Sequence, residues 1–378
     1  MNPIVPASSN PPQADQDLAE QARPGFGIPS QDPRSGAQSG LNPQEADREA
    51  HSALMGGGMV AGVITGASVG VAVAGPVGAV VGGALGAVAG ALGGAAAGGM
   101  GGPEESGAES GGAVHLHIED SGGSGRPVVL IHGWPLSAQA WEPQIAALHG
   151  AGYRVVAYDR RGFGRSDKPE SGYSYDSLAD DLQSVMDECD LHDVTLVGFS
   201  MGGGEVARYI GRHGESRLHS VVFAAAVTPC LMQSADNPEG PLTPEKAQDK
   251  RNALEQDREA FFDQFTVDFF SANGVQKVTE SERNEALALC RQSAPHAALA
   301  CRDSFSTEDF RDDLKKVTVP TLVIHGDADA IVPFEVSGQR THRAVAHSAL
   351  ALVNGAPHGL NVSHAQLFNN ALLSFLRT

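Results

Sequence analysis

A serine between glycines, a histidine held by proline and glycine, and two neighbouring loop aspartates could supply a nucleophile, its base and the acid that orients the base. The serine is Ser200, in Gly198-Phe199-Ser200-Met201-Gly202. An apolar run, Val194 to Val197, precedes it, and a helix-like run from Glu205 to Ile210 follows. Strand, G-x-S-x-G and helix is the context in which this motif presents a serine hydroxyl on a sharp, strained turn. A serine hydroxyl is a poor nucleophile until a base takes its proton, and the base needs an orienting acid. The expected chain order is serine, acid, histidine. His358, in Gly355-Ala356-Pro357-His358-Gly359, is the expected base. His192, His213 and His219 read as surface or strand-edge residues, whereas His132 and His325 precede glycines at strand ends and should brace loops. The acid is Asp327 or Asp329, both just past a strand ending at Ile324, and position alone does not separate them. A loop carboxylate that merely caps backbone N–H groups is the plainer role for either. Acyl chemistry also needs two oxyanion donors. The N–H of Met201 opens a helix, whose N-terminal end favours negative charge. The second donor is expected from Trp134, in His132-Gly133-Trp134-Pro135, with the indole lining the substrate pocket.

These residues need a frame to converge. Apolar runs at 113–118, 126–131, 153–158, 194–197, 218–227, 321–324 and 350–353 read as strands. Helical patterns at 141–148, 175–189, 335–346 and 365–376 alternate with them. Such alternation implies an α/β architecture, a mostly parallel central sheet with helices on both faces. Ligands gather at the C-terminal strand ends of such sheets, where each motif falls. Alternation stops between about residues 228 and 317. This charged, helix-like stretch carries Phe262, Phe265 and Phe269 at helical spacing, beside Phe261 and Phe270. The stripe reads as core, and as a candidate wall of a substrate pocket if the stretch forms a cap.

The chain has 378 residues and a net charge of −19, with no basic cluster to offset it. That argues against nucleic acid or anionic lipid as partners. Cys189, Cys230, Cys290 and Cys301 are scattered, which suits a reducing compartment rather than a disulfide framework. The N-terminus lacks a basic region followed by an apolar core, so no secretory signal peptide is read and a cytoplasmic location is expected. Residues 1–52, rich in Pro, Gln and Ser, read as a disordered tail. Residues 53–103 hold no charge, and glycine recurs every fourth residue through most of the segment. Small residues at that spacing let helices approach closely, so a glycine-zipper hairpin is expected, inserted in a membrane or self-associating. A flexible linker is the competing reading. Residues 104–112 read as a linker to a domain spanning 113–378.

Five motifs in order resemble the α/β-hydrolase superfamily: His132 to Pro135, Asp159 to Ser166, Gly198 to Gly204, His325 to Asp329, and Gly355 to Gly359. More narrowly, they resemble its cofactor-free bacterial haloperoxidases, also described as arylesterases and perhydrolases. The resemblance implies an α/β-hydrolase fold with a helical cap, and a Ser200–Asp329–His358 triad. It selects Asp329 because the family's acid lies four residues after the histidine of its H-G-x-x-D motif. It implies a pocket near Trp134, Pro135 and Phe199, since members that favour peracids carry proline after the oxyanion-loop aromatic. The implied activity is ester hydrolysis without a cofactor, with hydrogen peroxide as an alternative acyl acceptor. A carbon–carbon bond hydrolase with the same triad and a hydrolase-fold ligand-binding protein are the alternatives. The glycine-patterned N-terminus departs from the family pattern.

Overall fold

The computed structural model describes residues 114–377. The expected tail (1–52), glycine-patterned segment (53–103) and linker (104–112) lie outside the described residues.

A seven-stranded sheet organises the domain. Its strands are β1 (Ile118–Asp120), β2 (Pro127–Ile131), β3 (Arg154–Tyr158), β4 (Val194–Phe199), β5 (Leu218–Ala224), β8 (Thr321–Gly326) and β9 (Ala349–Val353). Their spatial order is β1-β3-β2-β4-β5-β8-β9. Only β1 runs antiparallel to its neighbour; the other pairs are parallel. Every residue of β4 and β8 is buried, which is why their sequences are continuous apolar runs rather than alternating ones. Helices α1 (Glu142–Gly150), α2 (Tyr175–Glu188), α3 (Met201–His213), α9 (Gly338–Ala344) and α11 (Ala365–Leu376) complete the α/β frame.

Three boundaries differ from expectation, each for a local reason. The first strand begins only at Ile118, the last residue of the expected run, because the backbone N–H groups of His115 and His117 donate to Asp167 Oδ2 and Ser166 Oγ instead of to a ladder. β5 stops at Ala224 because Ala225 turns into the left-handed region, at φ +42°. The helix expected over 335–346 breaks at Ser337 into a 3-10 turn, Phe334–Val336, and α9. Gly338 then packs against His325, where a Cβ would lie 2.4 Å from its Nδ1.

The stretch from 228 to 317 holds α4 (Pro244–Gln256), α5 (Arg258–Phe270), α6 (Glu280–Arg291), α7 (Pro295–Thr307) and α8 (Arg311–Leu314). Their starts are written locally. Thr243 precedes Pro244 and accepts from the Lys246 N–H, and Thr279 with Glu282 forms a reciprocal capping box. A small hairpin, β6 (Ser271–Ala272) and β7 (Val275–Gln276), joins α5 to α6 and escaped the sequence reading. Among the described residues, no helix is long and apolar enough to cross a membrane.

One ion pair is wholly buried. Arg160 pairs with Glu205 of α3, and Glu205 also accepts from the Tyr158 hydroxyl at 2.8 Å. Removing one partner of such a pair leaves an uncompensated charge in the core, at about 3–5 kcal/mol. Glu205→Gln is therefore expected to lower unfolding stability by that amount, read from denaturant midpoints at unchanged slope.

Candidate active site

The serine turn follows from what surrounds it. Ser200 lies at φ 53° and ψ −116°, between the end of β4 and the start of α3. A non-glycine residue held there stores about 1–3 kcal/mol of backbone strain. Its N–H donates to the Ala224 carbonyl at 2.8 Å, and its own carbonyl accepts from Gly203 at 3.0 Å and Val227 at 3.2 Å. The flanking glycines are required by close approach. A Cβ on Gly198 would lie 2.4 Å from the Gly202 carbonyl oxygen, and one on Gly202 would lie 2.5 Å from that of Ile131.

The loops after β8 and β9 bring the other two residues to this turn. His358 Nε2 lies 2.9 Å from Ser200 Oγ, and His358 Nδ1 lies 2.6 Å from Asp329 Oδ2. All three residues are buried. Asp329 Oδ1 accepts the N–H groups of Ile331 (2.9 Å) and Val332 (2.8 Å), which fixes the carboxylate plane. Burial alone would raise the Asp329 carboxyl, but the charges and hydrogen bonds of His358 and His325 hold it well below the usual range. Asp327 does something else. It is exposed, and its Oδ1 accepts the Gly355 N–H at 2.6 Å, the loop-capping role open to either aspartate.

His132 and His325 brace loops, as expected. His325 Nε2 lies 2.8 Å from the Val332 carbonyl. His132 Nε2 accepts the Arg160 N–H at 2.9 Å, while Nδ1 lies 2.9 Å from the Gly133 carbonyl, as its donor. Burial first, and the Arg160 charge second, push the His132 pKa well down, so the ring is neutral. The Arg160 Nη2 donates to the His132 carbonyl at 2.6 Å, so the buried ion pair anchors the loop that carries Trp134.

Trp134 faces the site. Its indole N–H donates to the Ala298 carbonyl at 2.9 Å. Four phenylalanines from the cap, Phe261, Phe262, Phe265 and Phe305, meet its ring edge-on at 5.4–6.1 Å between centroids. Among the described residues, no hydrogen bond takes up the backbone N–H of Trp134 or of Met201. A cavity of about 790 Å³ opens over the serine, and Ser200, His358, Trp134, Phe261 and Phe265 line it. The phenylalanine stripe therefore divides: Phe262, Phe269 and Phe270 are core, and Phe261 and Phe265 form wall.

Two residues expected in the pocket lie behind it. Phe199 is buried, with its ring 5.3 Å from His358 and 6.0 Å from Phe269. It is the last residue of β4, and side chains along a strand point to alternate faces, so Phe199 and the serine diverge. Pro135 follows a cis peptide and is also buried, and it does not line the cavity. Conversely, the sequence reading missed Arg302, Lys250 and Lys246, which line the cavity from α7 and α4.

Residues 126–365 match the α/β-hydrolase fold family. The chain belongs to that family. Over 258 residues it is 42% identical to a non-heme chloroperoxidase of Kitasatospora aureofaciens, covering 67% of this chain and 93% of the relative. A bifunctional esterase/perhydrolase of Acinetobacter calcoaceticus is 36% identical, over 70% of this chain and 97% of the relative. The crystal structure of a bromoperoxidase from Bacillus anthracis superposes with a TM-score of 0.69 at 51% identity, covering 70% of this chain and 96% of that one. This α/β-hydrolase is thus an enzyme whose relatives bear haloperoxidase and esterase names, in keeping with the five sequence motifs.

Proposed function

We propose that the chain is a serine hydrolase of carboxylic esters that works through an acyl-enzyme, with Ser200, His358 and Asp329 as its triad. The observation that carries this reading is the unbroken relay of 2.9 Å and 2.6 Å from Ser200 Oγ through His358 to Asp329. Ser200 Oγ attacks the ester carbonyl carbon as its proton passes to His358 Nε2. Asp329 keeps the Nδ1–H tautomer in place and stabilises the imidazolium that forms. The backbone N–H groups of Met201 and Trp134 receive the oxyanion. The imidazolium then gives its proton to the departing alcohol, leaving the acyl group on Ser200. Water, deprotonated by His358, releases the acid.

Hydrogen peroxide in place of water would leave as a peracid, with the same proton transfer to His358. A peracid oxidises bromide to hypobromous acid in solution, becoming the carboxylate as it passes on one oxygen. Halogenation would then need only the triad, and the names of the relatives suit that chemistry. The test is a panel of short-chain and aryl esters, each assayed with and without peroxide. Steady multiple turnover is expected, with peracid replacing part of the acid in proportion to peroxide. A single stoichiometric release without turnover would instead favour the ligand-binding reading.

A further inference from the structure

Three cationic side chains in the cavity have no part in the chemistry above. Arg302 is the most telling, because it is 4% exposed and has no anionic partner among the described residues. Its one side-chain hydrogen bond among the described residues runs from Nη1 to the Ala247 carbonyl at 3.2 Å. The adjacent Asp303 is taken by Arg251. Burial pushes the Arg302 pKa down to about 10, so the guanidinium still carries its charge at neutral pH. Lys250 lines the same cavity from α4, and enclosure first, then the Arg302 charge, lowers its pKa. Lys246 stands one turn earlier on that helix.

The acidic groups in the lining are held by other partners, although Asp268 also acts on Lys250, partly opposing the lowering of its pKa. Asp257 Oδ1 caps the Ala260 N–H at 3.0 Å, and Asp268 Oδ1 accepts from Gln264 Nε2 at 2.9 Å. Neither forms an ion pair with Arg302, Lys250 or Lys246 among the described residues. A buried charge without a partner is expensive, and a guanidinium is shaped to grip a carboxylate with two parallel hydrogen bonds.

Position completes the argument. Ala298, Arg302 and Phe305 follow one another at i, i+4 and i+7 on α7, and so share a face. That face meets Trp134, through the indole bond to Ala298 and the Phe305 ring at 5.8 Å. The cations therefore sit along the cavity wall beside the residue that flanks Ser200, with apolar Phe261, Phe265 and Leu231 sharing the lining.

We infer that the esters this site cleaves carry a carboxylate, received by Arg302 with Lys250 across the cavity. This rests on the ester-hydrolase reading above and adds the substrate class. The carboxylate can belong to the acyl chain or to the departing alcohol, and two assay arms separate them. One compares 4-nitrophenyl monoesters of dicarboxylic acids of graded chain length with their methyl-capped diesters. The other compares 4-acetoxybenzoate with its methyl ester.

In at least one arm, kcat/KM for the anionic ester should exceed that for its neutral counterpart by about ten-fold or more. Arg302→Met and Lys250→Met should each erase much of that preference, with the loss falling on KM for the anionic ester. Arg302→Lys should restore part of it. Lys250 is accessible, so its variant serves as a control should the buried site tolerate change poorly. Equal rates on neutral and anionic esters in both arms, or a preference that survives both methionine variants, would overturn the inference and leave ester hydrolysis intact. No turnover of any ester would overturn the parent reading and this one together.

Discussion

Ser200→Ala should lower kcat on simple esters by about 10⁶-fold and abolish any acyl-enzyme burst. Removing the nucleophile of a serine–histidine–aspartate unit costs about as much as removing the whole unit, because the members act together. The residual rate, about 10³–10⁴ over water, would come from the oxyanion donors and from substrate binding. Folding should be untouched. Alanine meets the same positive φ of 53° as serine, and the backbone bonds that hold the turn do not involve the hydroxyl. The variant should therefore unfold at the parent midpoint and still bind substrate, a combination read by denaturation and by isothermal titration. A variant that hydrolysed 4-nitrophenyl acetate at the parent rate would end the serine-nucleophile reading.

Asp329→Asn carries the second-largest effect, a fall in kcat of about 10⁴-fold. An amide in place of the carboxylate turns an acceptor toward His358 into a group that can donate, favouring the wrong imidazole tautomer. Asp327→Asn is the internal control. Its side chain caps Gly355 in an exposed loop, so kcat should stay within a few-fold of the parent. A reversed ranking would exchange the two aspartates' roles. Asp329 also carries a pH signature. Its carboxyl is held below the usual range, so its ionised form contributes native stability that is complete above about pH 4 and lost as pH falls toward the native pKa. The stability gap between parent and Asp329→Asn should therefore narrow on acidification below that point, as followed by denaturant midpoints across the acidic range.

Legibility in the sequence tracked how local each determinant was. The parallel sheet could be read because strands buried on both faces are written as apolar runs, and the motifs at their ends mark where the chain turns. The elbow could be read because strand, G-x-S-x-G turn and helix are contiguous, and Gly198 answers a clash with Gly202 only four residues on. Asp329 could not be separated from Asp327 by position, since what divides them is a backbone pair, Ile331 and Val332, against a distant loop glycine. Phe199 was expected in the pocket on the resemblance, which says nothing of the alternation of side chains along β4. Glu205 was read only as the start of a helical run, and its burial went unseen. A usable signal was present in Gly202, Gly203 and Gly204 before it, since three successive glycines inside a helix mark close packing. The cavity cations left no such trace, because Lys250 and Arg302 lie about fifty residues apart in the chain and only the packing of α4 and α7 makes Arg302 a wall.

The ring of cap phenylalanines around Trp134 bears on how this enzyme can be re-engineered. In the proposed mechanism this tryptophan offers an oxyanion N–H, and its ring is also the anvil on which α5 and α7 rest. The cap also reaches His358, the proposed base, because the Gly359 N–H beside it donates to the Phe269 carbonyl at 2.8 Å and the Phe269 ring lies 5.3 Å from the imidazole. Recognition and turnover thus share parts. Grafting a foreign cap to change the substrate would disturb the alignment of the catalytic groups, and selection for new specificity would have to recover rate at the same time.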